Sequence, residues 1–132
     1  MSNRLVRAAF ATDDKETVNA EFMKARHFMI FDVMPDSSVL DRALDFSGGE
    51  GGGMENPRVT ALKGCTVVFV PKPVTGEEAL GLIRSKVFIT KLQNQEPIGD
   101  LIERLQVMLR GNPPPWLRRA MSGETLQTGE PE

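Results

Sequence analysis

The chain has one cysteine, one histidine and no long apolar run, and each scarcity closes off a class of protein. A lone Cys65 cannot form an internal disulfide, so the 132 residues must be held by an ordinary core, which a domain of this length can bury. The longest apolar runs, Phe28–Phe31 and Val67–Val70, fall far short of the roughly 20 residues a membrane helix needs. Met1–Phe10 has no signal-peptide apolar core, so the expected compartment is the cytoplasm. A formal net charge of -2 supplies no global attraction for nucleic acid or anionic lipid, and no local basic patch stands out to replace it. Ser47–Gly53 contains five glycines but lacks the Lys-Ser/Thr that would follow in a phosphate loop. No Ser-His-Asp or Cys-His-Asp set is legible either.

What is present reads as a folded α/β domain. Forty per cent apolar and 26% charged residues are ordinary globular values. Leu5–Thr12 is apolar and ends in Asp13-Asp14-Lys15-Glu16, a strand running into a loop. Phe28–Met34 is a second strand, stopped by Pro35-Asp36, and the short Pro35–Ser38 link returns it into Val39–Phe46 as an antiparallel neighbour. Even spacing predicts that Leu40, Leu44 and Phe46 share one face. Pro57 opens a short helix stopped by Gly64, and the continuously apolar Cys65–Val70 reads as a central strand covered on both sides. Thr75 is a candidate cap for a helix running to about Lys86, and Val87–Leu92 is a further strand. From Pro97 the residues Ile98, Leu101, Ile102, Leu105, Met108 and Leu109 fall at helical spacing, leaving Arg104 and Arg110 towards water. This order predicts a five-stranded mixed sheet with helices on both faces, matching an RNase H-like three-layer architecture. Residues 1–121 form the predicted domain; Ser122–Glu132, with Leu126 as its one large apolar residue, reads as a disordered tail.

Few residues offer chemistry. Cys65 is either a small packed hydrophobe or a soft thiolate ligand suited to iron–sulfur chemistry, although one cysteine is far from the four that hold a permanent cluster. His27 is either an incidental surface imidazole or a nitrogen ligand whose neighbours Lys24 and Arg26 would favour a negatively charged guest. Met23, Met29 and Met34 are core fillers or soft donors. The glycines Gly51 and Gly52 belong either to a plain connector or to a backbone able to close over a bulky ligand. Asp13, Asp14, Glu16 and Glu21 crowd one loop, whereas a two-metal nuclease needs acids converging from several strands, and Asp32 and Asp45 complete no such set.

Four segments carry a resemblance to a known family. They are Val6–Asp14; Val18–Phe22 running to Ala25–Val33; Leu62-Lys63-Gly64-Cys65; and the closing Leu105–Ala120, in which Pro113-Pro114-Pro115-Trp116 precedes a short helix. Over roughly Arg4–Met121 the chain resembles the nitrogenase cofactor-maturation family of NifX and NafY cofactor-binding domains, also described as dinitrogenase iron–molybdenum cofactor biosynthesis proteins. The resemblance implies an RNase H-like fold and non-enzymatic, transient binding of an iron–sulfur cofactor precursor or of the iron–molybdenum cofactor. The implied partners are the cluster-building enzyme, the scaffold complex and apo-dinitrogenase, with no nucleic acid and no membrane. The family usually carries His-Phe-Gly before the second strand, its histidine being a cofactor ligand; here Glu21-Phe22-Met23 stand in that place. Glu21 or His27 is the candidate replacement, and Cys65 matches a cysteine common in the family. The expected binding residues are therefore Glu21, Met23, Lys24, Arg26, His27, Gly51, Gly52 and Cys65, with His27 and Cys65 touching metal. The alternative function is an adaptor or chaperone that contacts nitrogenase assembly proteins without ligating metal.

Overall fold

The computed structural model describes residues 5–45, 57–121 and 127–128. Its strands are β1 (Val6–Thr12), β2 (Thr17–Val18), β3 (His27–Val33), β4 (Ser38–Asp45), β5 (Val67–Val70), β6 (Phe88–Lys91), β7 (Glu96–Pro97) and β8 (Gln127–Thr128). Four helices join them among the described residues: α1 (Pro57–Ala61), α2 (Gly76–Arg84), α3 (Ile98–Arg110) and α4 (Pro115–Met121). The main sheet has the order β4-β3-β1-β5-β6, with the short β8 parallel to β6 at one edge. β1, β5 and β6 run parallel, while β3 and β4 are antiparallel to their neighbours. The fold is thus the expected mixed α/β arrangement. The glycine-rich Ser47–Gly53 lies outside the described residues.

Alternation along β1 divides the core into two layers. Val6, Ala8 and Phe10 point to the face covered by α3 and α4, where Leu101, Leu105, Leu109, Trp116 and Leu117 are buried. Ala9 and Ala11 point to the opposite face, where Val59 and Leu62 on and after α1, and Ala79 and Leu82 of α2, close the second layer. All four residues of β5 are buried, so its unbroken apolar run reflects a strand with a helix layer on each side. The Phe10 ring stacks on Phe69, its register partner, at 5.1 Å, and Phe88 meets Trp116 at 5.8 Å.

Two local expectations are corrected. Leu40 and Leu44 do not share a face: the register of β3 against β4 shifts between Ile30 and Phe31, so Arg42 stands opposite Ile30 and Leu40 opposite Phe31. Asp41 is the extra, bulged residue, and one inserted residue reverses the alternation beyond it. Leu40 consequently lies with Phe31 on the α3 side and Leu44 with Phe28 on the α2 side. Phe46 lies outside the described residues. Thr75 has the extended backbone of a cap but its side chain makes no capping hydrogen bond. That helix stops at Arg84 because Lys86 adopts a positive φ of 65°, and Val87 N–H and Lys86 N–H donate to the Leu82 and Ile83 carbonyls in a Schellman closure.

β2 and β7 are too short to leave a pattern in the sequence. These two-residue strands pair with each other, and the Ile98 N–H donates to the Glu16 carbonyl at 2.8 Å. Pro97 has no side-chain hydroxyl or carboxylate with which to cap α3, so the backbone of the β1–β2 loop satisfies its first amide instead. No helix among the described residues is long and apolar enough to cross a membrane.

Candidate functional site

In a sheet with parallel strands, loops at the carboxyl ends of those strands form the usual ligand crevice. Here that end carries the β1–β2 loop, the turn of residues 21–24, the start of β3 and the segment following β5.

The β1–β2 loop is fixed by side chains bonding to its own backbone. The fully buried Thr12 hydroxyl accepts the Asp14 and Lys15 N–H groups and donates to Asp14 Oδ1 at 3.0 Å. Asp14 Oδ1 then accepts the Glu16 and Thr17 N–H groups at 2.8 and 2.9 Å. Those amide donors, that of Glu16 foremost, hold the Asp14 carboxyl below its ordinary titration range. Asp13 reaches across: its N–H donates to Asn19 Oδ1, and its carboxylate accepts the Arg26 N–H, both at 2.9 Å. Asp13 and Asp14 are therefore engaged with backbone amides. Among the described residues no three His, Cys, Asp or Glu side chains group as a metal-binding set.

The adjoining turn is a pinned platform. Phe22 and Ala25 are buried in the α2-side core, and the Phe22 ring packs edge-on against Phe28 at 5.4 Å. With those two side chains inward, Met23, Lys24 and Arg26 are left exposed, and the Lys24 N–H closes the turn onto the Glu21 carbonyl at 3.0 Å. Glu21 is half-exposed and pairs with Lys72 at 3.4 Å, linking the turn to the segment after β5. Lys72 was not legible as a site residue, since no local pattern marks it and only the parallel register of β1 and β5 brings it here.

His27 stands at the same end, opposite Thr12 and Asp45 in the register. It belongs to the strand positions facing α3, whereas Phe22 and Ala25 anchor to the other face, so the imidazole and the turn's anchors straddle the sheet edge. Its side chain is mostly buried, and Nδ1 lies 4.0 Å from Asp45 Oδ1.

Cys65 is elsewhere. Thr66 N–H donates to the Arg7 carbonyl and Val67 pairs with Ala8, so Cys65 sits near the level of Val6. His27 is level with Thr12, six residues along the same strand, a separation of about 20 Å at strand rise. His27 and Cys65, both expected to touch metal, therefore do not meet, because they belong to opposite ends of the sheet. Cys65 is buried in the α2-side core, and burial pushes its thiol up to about 12, with Arg7 opposing only in part. Such a group is a protonated thiol at neutral pH, and the thiolate is the metal ligand. Gly51 and Gly52 lie outside the described residues. The structure therefore gathers Glu21, Met23, Lys24 and Arg26 with the unforeseen Lys72, sets His27 beside them at the same edge, and leaves Cys65 apart.

Comparison with known proteins gives a consistent result. The sequence model of the family described as "Dinitrogenase iron-molybdenum cofactor" matches residues 4–108. The chain is similar to Protein NifX of Sinorhizobium fredii, 35% identical over 126 residues that cover 89% of this chain and 78% of the relative. It is also similar to Protein NifX of Azotobacter vinelandii, at 34% over 121 residues, covering 89% and 75%. Protein NifY of Azotobacter vinelandii is 28% identical over 123 residues, and the match covers 92% of this chain but half of that protein.

Proposed function

This chain belongs to the dinitrogenase iron-molybdenum cofactor family, and on that premise we propose that it serves nitrogenase cofactor biosynthesis as a carrier. Its cargo is an iron–sulfur cofactor precursor or the iron–molybdenum cofactor, taken up and released without turnover. The observation that carries this reading is the cationic turn at the carboxyl end of the parallel strands. There Lys24 and Arg26 are held outward by the buried Phe22 and Ala25, in the turn whose Glu21 is reached by Lys72.

The physical chemistry suits a temporary hold. An anionic cluster is drawn by exposed cations on a backbone already ordered, so little conformational entropy is lost on binding. The Glu21–Lys72 pair joins side chains 42% and 68% exposed, where an ion pair contributes at most about 1 kcal/mol. It opens at small cost, turning Lys72 to the anion and leaving the Glu21 carboxylate as a hard oxygen donor. His27 offers an imidazole nitrogen at the same edge. One or two donors plus charge give a guest that can leave again, unlike the four thiolates of a resident cluster. Donors and acceptors of the cargo are the cluster-building enzyme, the scaffold complex and apo-dinitrogenase.

A second reading, an adaptor that contacts those proteins without ligating metal, is favoured by Glu21 itself. It occupies the place where the resemblance puts a histidine, and its carboxylate is engaged by Lys72. Anaerobic titration with isolated iron–molybdenum cofactor separates the two. A carrier gives a stoichiometric change in visible absorbance, weakened at least about tenfold by Lys24→Glu/Arg26→Glu, since each like charge costs on the order of 1 kcal/mol, and unchanged by Cys65→Ala. No absorbance change with the folded chain overturns the carrier reading.

A further inference from the structure

The sheet ends on β4, eight residues long, and among the described residues no strand pairs with its outer edge. Seven of its eight residues are exposed, including Val39 at 57% and Leu40 at 47%. Over Ser38–Leu44 no described strand lies opposite the outward backbone donors and acceptors, and such an edge is a template for another strand.

The register with β3 fixes which way each β4 side chain points. Val39, Arg42 and Leu44 stand opposite Asp32, Ile30 and Phe28, on the α2 side. Ser38, Leu40, Ala43 and Asp45 stand opposite Val33, Phe31, Met29 and His27, on the α3 side. The bulged Asp41 lies 4.0 Å from Arg7, which pairs with Asp32, so it too turns to the α2 side. Two copies joined edge to edge in antiparallel fashion are related by a twofold axis perpendicular to the sheet, which keeps each face on its own side. Directly opposed residues must then point the same way. In an unbulged strand, pairing a residue with one of opposite parity breaks that condition. The bulge changes the outcome.

With the axis between Asp41 and Arg42, Val39 meets Leu44 of the second copy on one face, and Leu40 meets Ala43 on the other. Ser38 meets Asp45, and Asp41, which already pairs with Arg42 of its own strand at 3.0 Å, meets Arg42 of the second copy. Every pair matches in face. Moving the axis by half a residue either way sets Val39 against Ala43, or Leu40 against Leu44, whose side chains point to opposite faces. Those slips also oppose Asp41 to Asp41 or Arg42 to Arg42, like charges that disfavour pairing. Bulges and charges on edge strands ordinarily prevent association; here they reject the neighbouring registers and leave one. We propose that β4 is the seam of a homodimer, in which two sheets continue into each other through this single register. Because the strands run oppositely, the two cationic turns lie at opposite edges of the joined sheet and remain independently accessible.

The test uses the full chain. Sedimentation velocity over on the order of a hundredfold range of concentration should show a species of twice 14.6 kDa growing with concentration. Leu40→Cys/Ala43→Cys places two thiols across the seam at disulfide distance, and mild oxidation should give a covalent dimer. Val39→Cys/Ala43→Cys, with thiols on opposite faces, should give at least tenfold less in the same time. All three positions are exposed, so the folded state is retained, and the buried Cys65 contributes no background. A monomer at every concentration overturns the proposal, as does a dimer that crosslinks equally in both variants. A monomer with slowly exchanging β4 amides also overturns it, and assigns the edge to another part of the same chain.

Discussion

The buried thiol of Cys65 makes the fold sensitive to alkali in a way that can be worked out in advance. In the folded chain the thiol is pushed from an ordinary 9.0 to about 12, chiefly by burial. A raised value means that the folded state prefers the protonated thiol. Its contribution is fully present below pH 9, where folded and unfolded chains are both protonated, and is lost as pH rises towards 12. At about 1.4 kcal/mol per pH unit the whole effect is on the order of 4 kcal/mol, most of it gone by pH 11. Cys65→Ala removes the titration, so urea denaturation of wild type and variant, followed side by side from pH 8 to 11, isolates it from the lysines that titrate in both. The stability difference should move against the wild type by roughly 3 kcal/mol. In parallel, a disulfide reagent at pH 8 should label the native thiol about a thousandfold more slowly than the denatured one, the ratio of the two thiolate fractions. Parallel pH profiles, or native labelling within tenfold of the denatured rate, would refute the reasoning and reopen Cys65 as a metal ligand.

Three further outcomes follow from local geometry. Asp14→Ala should lower the melting temperature at neutral pH. Because the folded carboxyl titrates below 3.8, that deficit should persist above pH 4 and shrink as acid protonates the wild-type group. A Cβ built at Gly81 would stand 2.9 Å from Val59 Cγ1, so Gly81→Ala should destabilise despite a helix propensity gain of about 1 kcal/mol. Adding Val59→Ala should recover part of that loss in chemical denaturation. Lys86, at a φ of 65°, closes a helix where glycine is the usual residue, and Lys86→Gly should stabilise by about 0.5–1 kcal/mol in the same assay.

The sequence by itself determined the longer elements and the class. Periodicity marked α3, an unbroken apolar run marked β5 as central, and a proline-bounded link marked the β3–β4 hairpin, because these depend on residues close together in the chain. The opening, middle and closing segments that carry the family resemblance are likewise contiguous, and the family match over residues 4–108 agrees with them. Tertiary structure alone decided which of the candidate residues come together. Register is a long-range property, and it parted Cys65 from His27 by the length of a strand while drawing Lys72 to Glu21 across 51 residues of chain. A single bulged residue, Asp41, reversed the facing of Leu40 relative to Leu44, since alternation in a strand is counted from its neighbour's pairing and not from its own sequence.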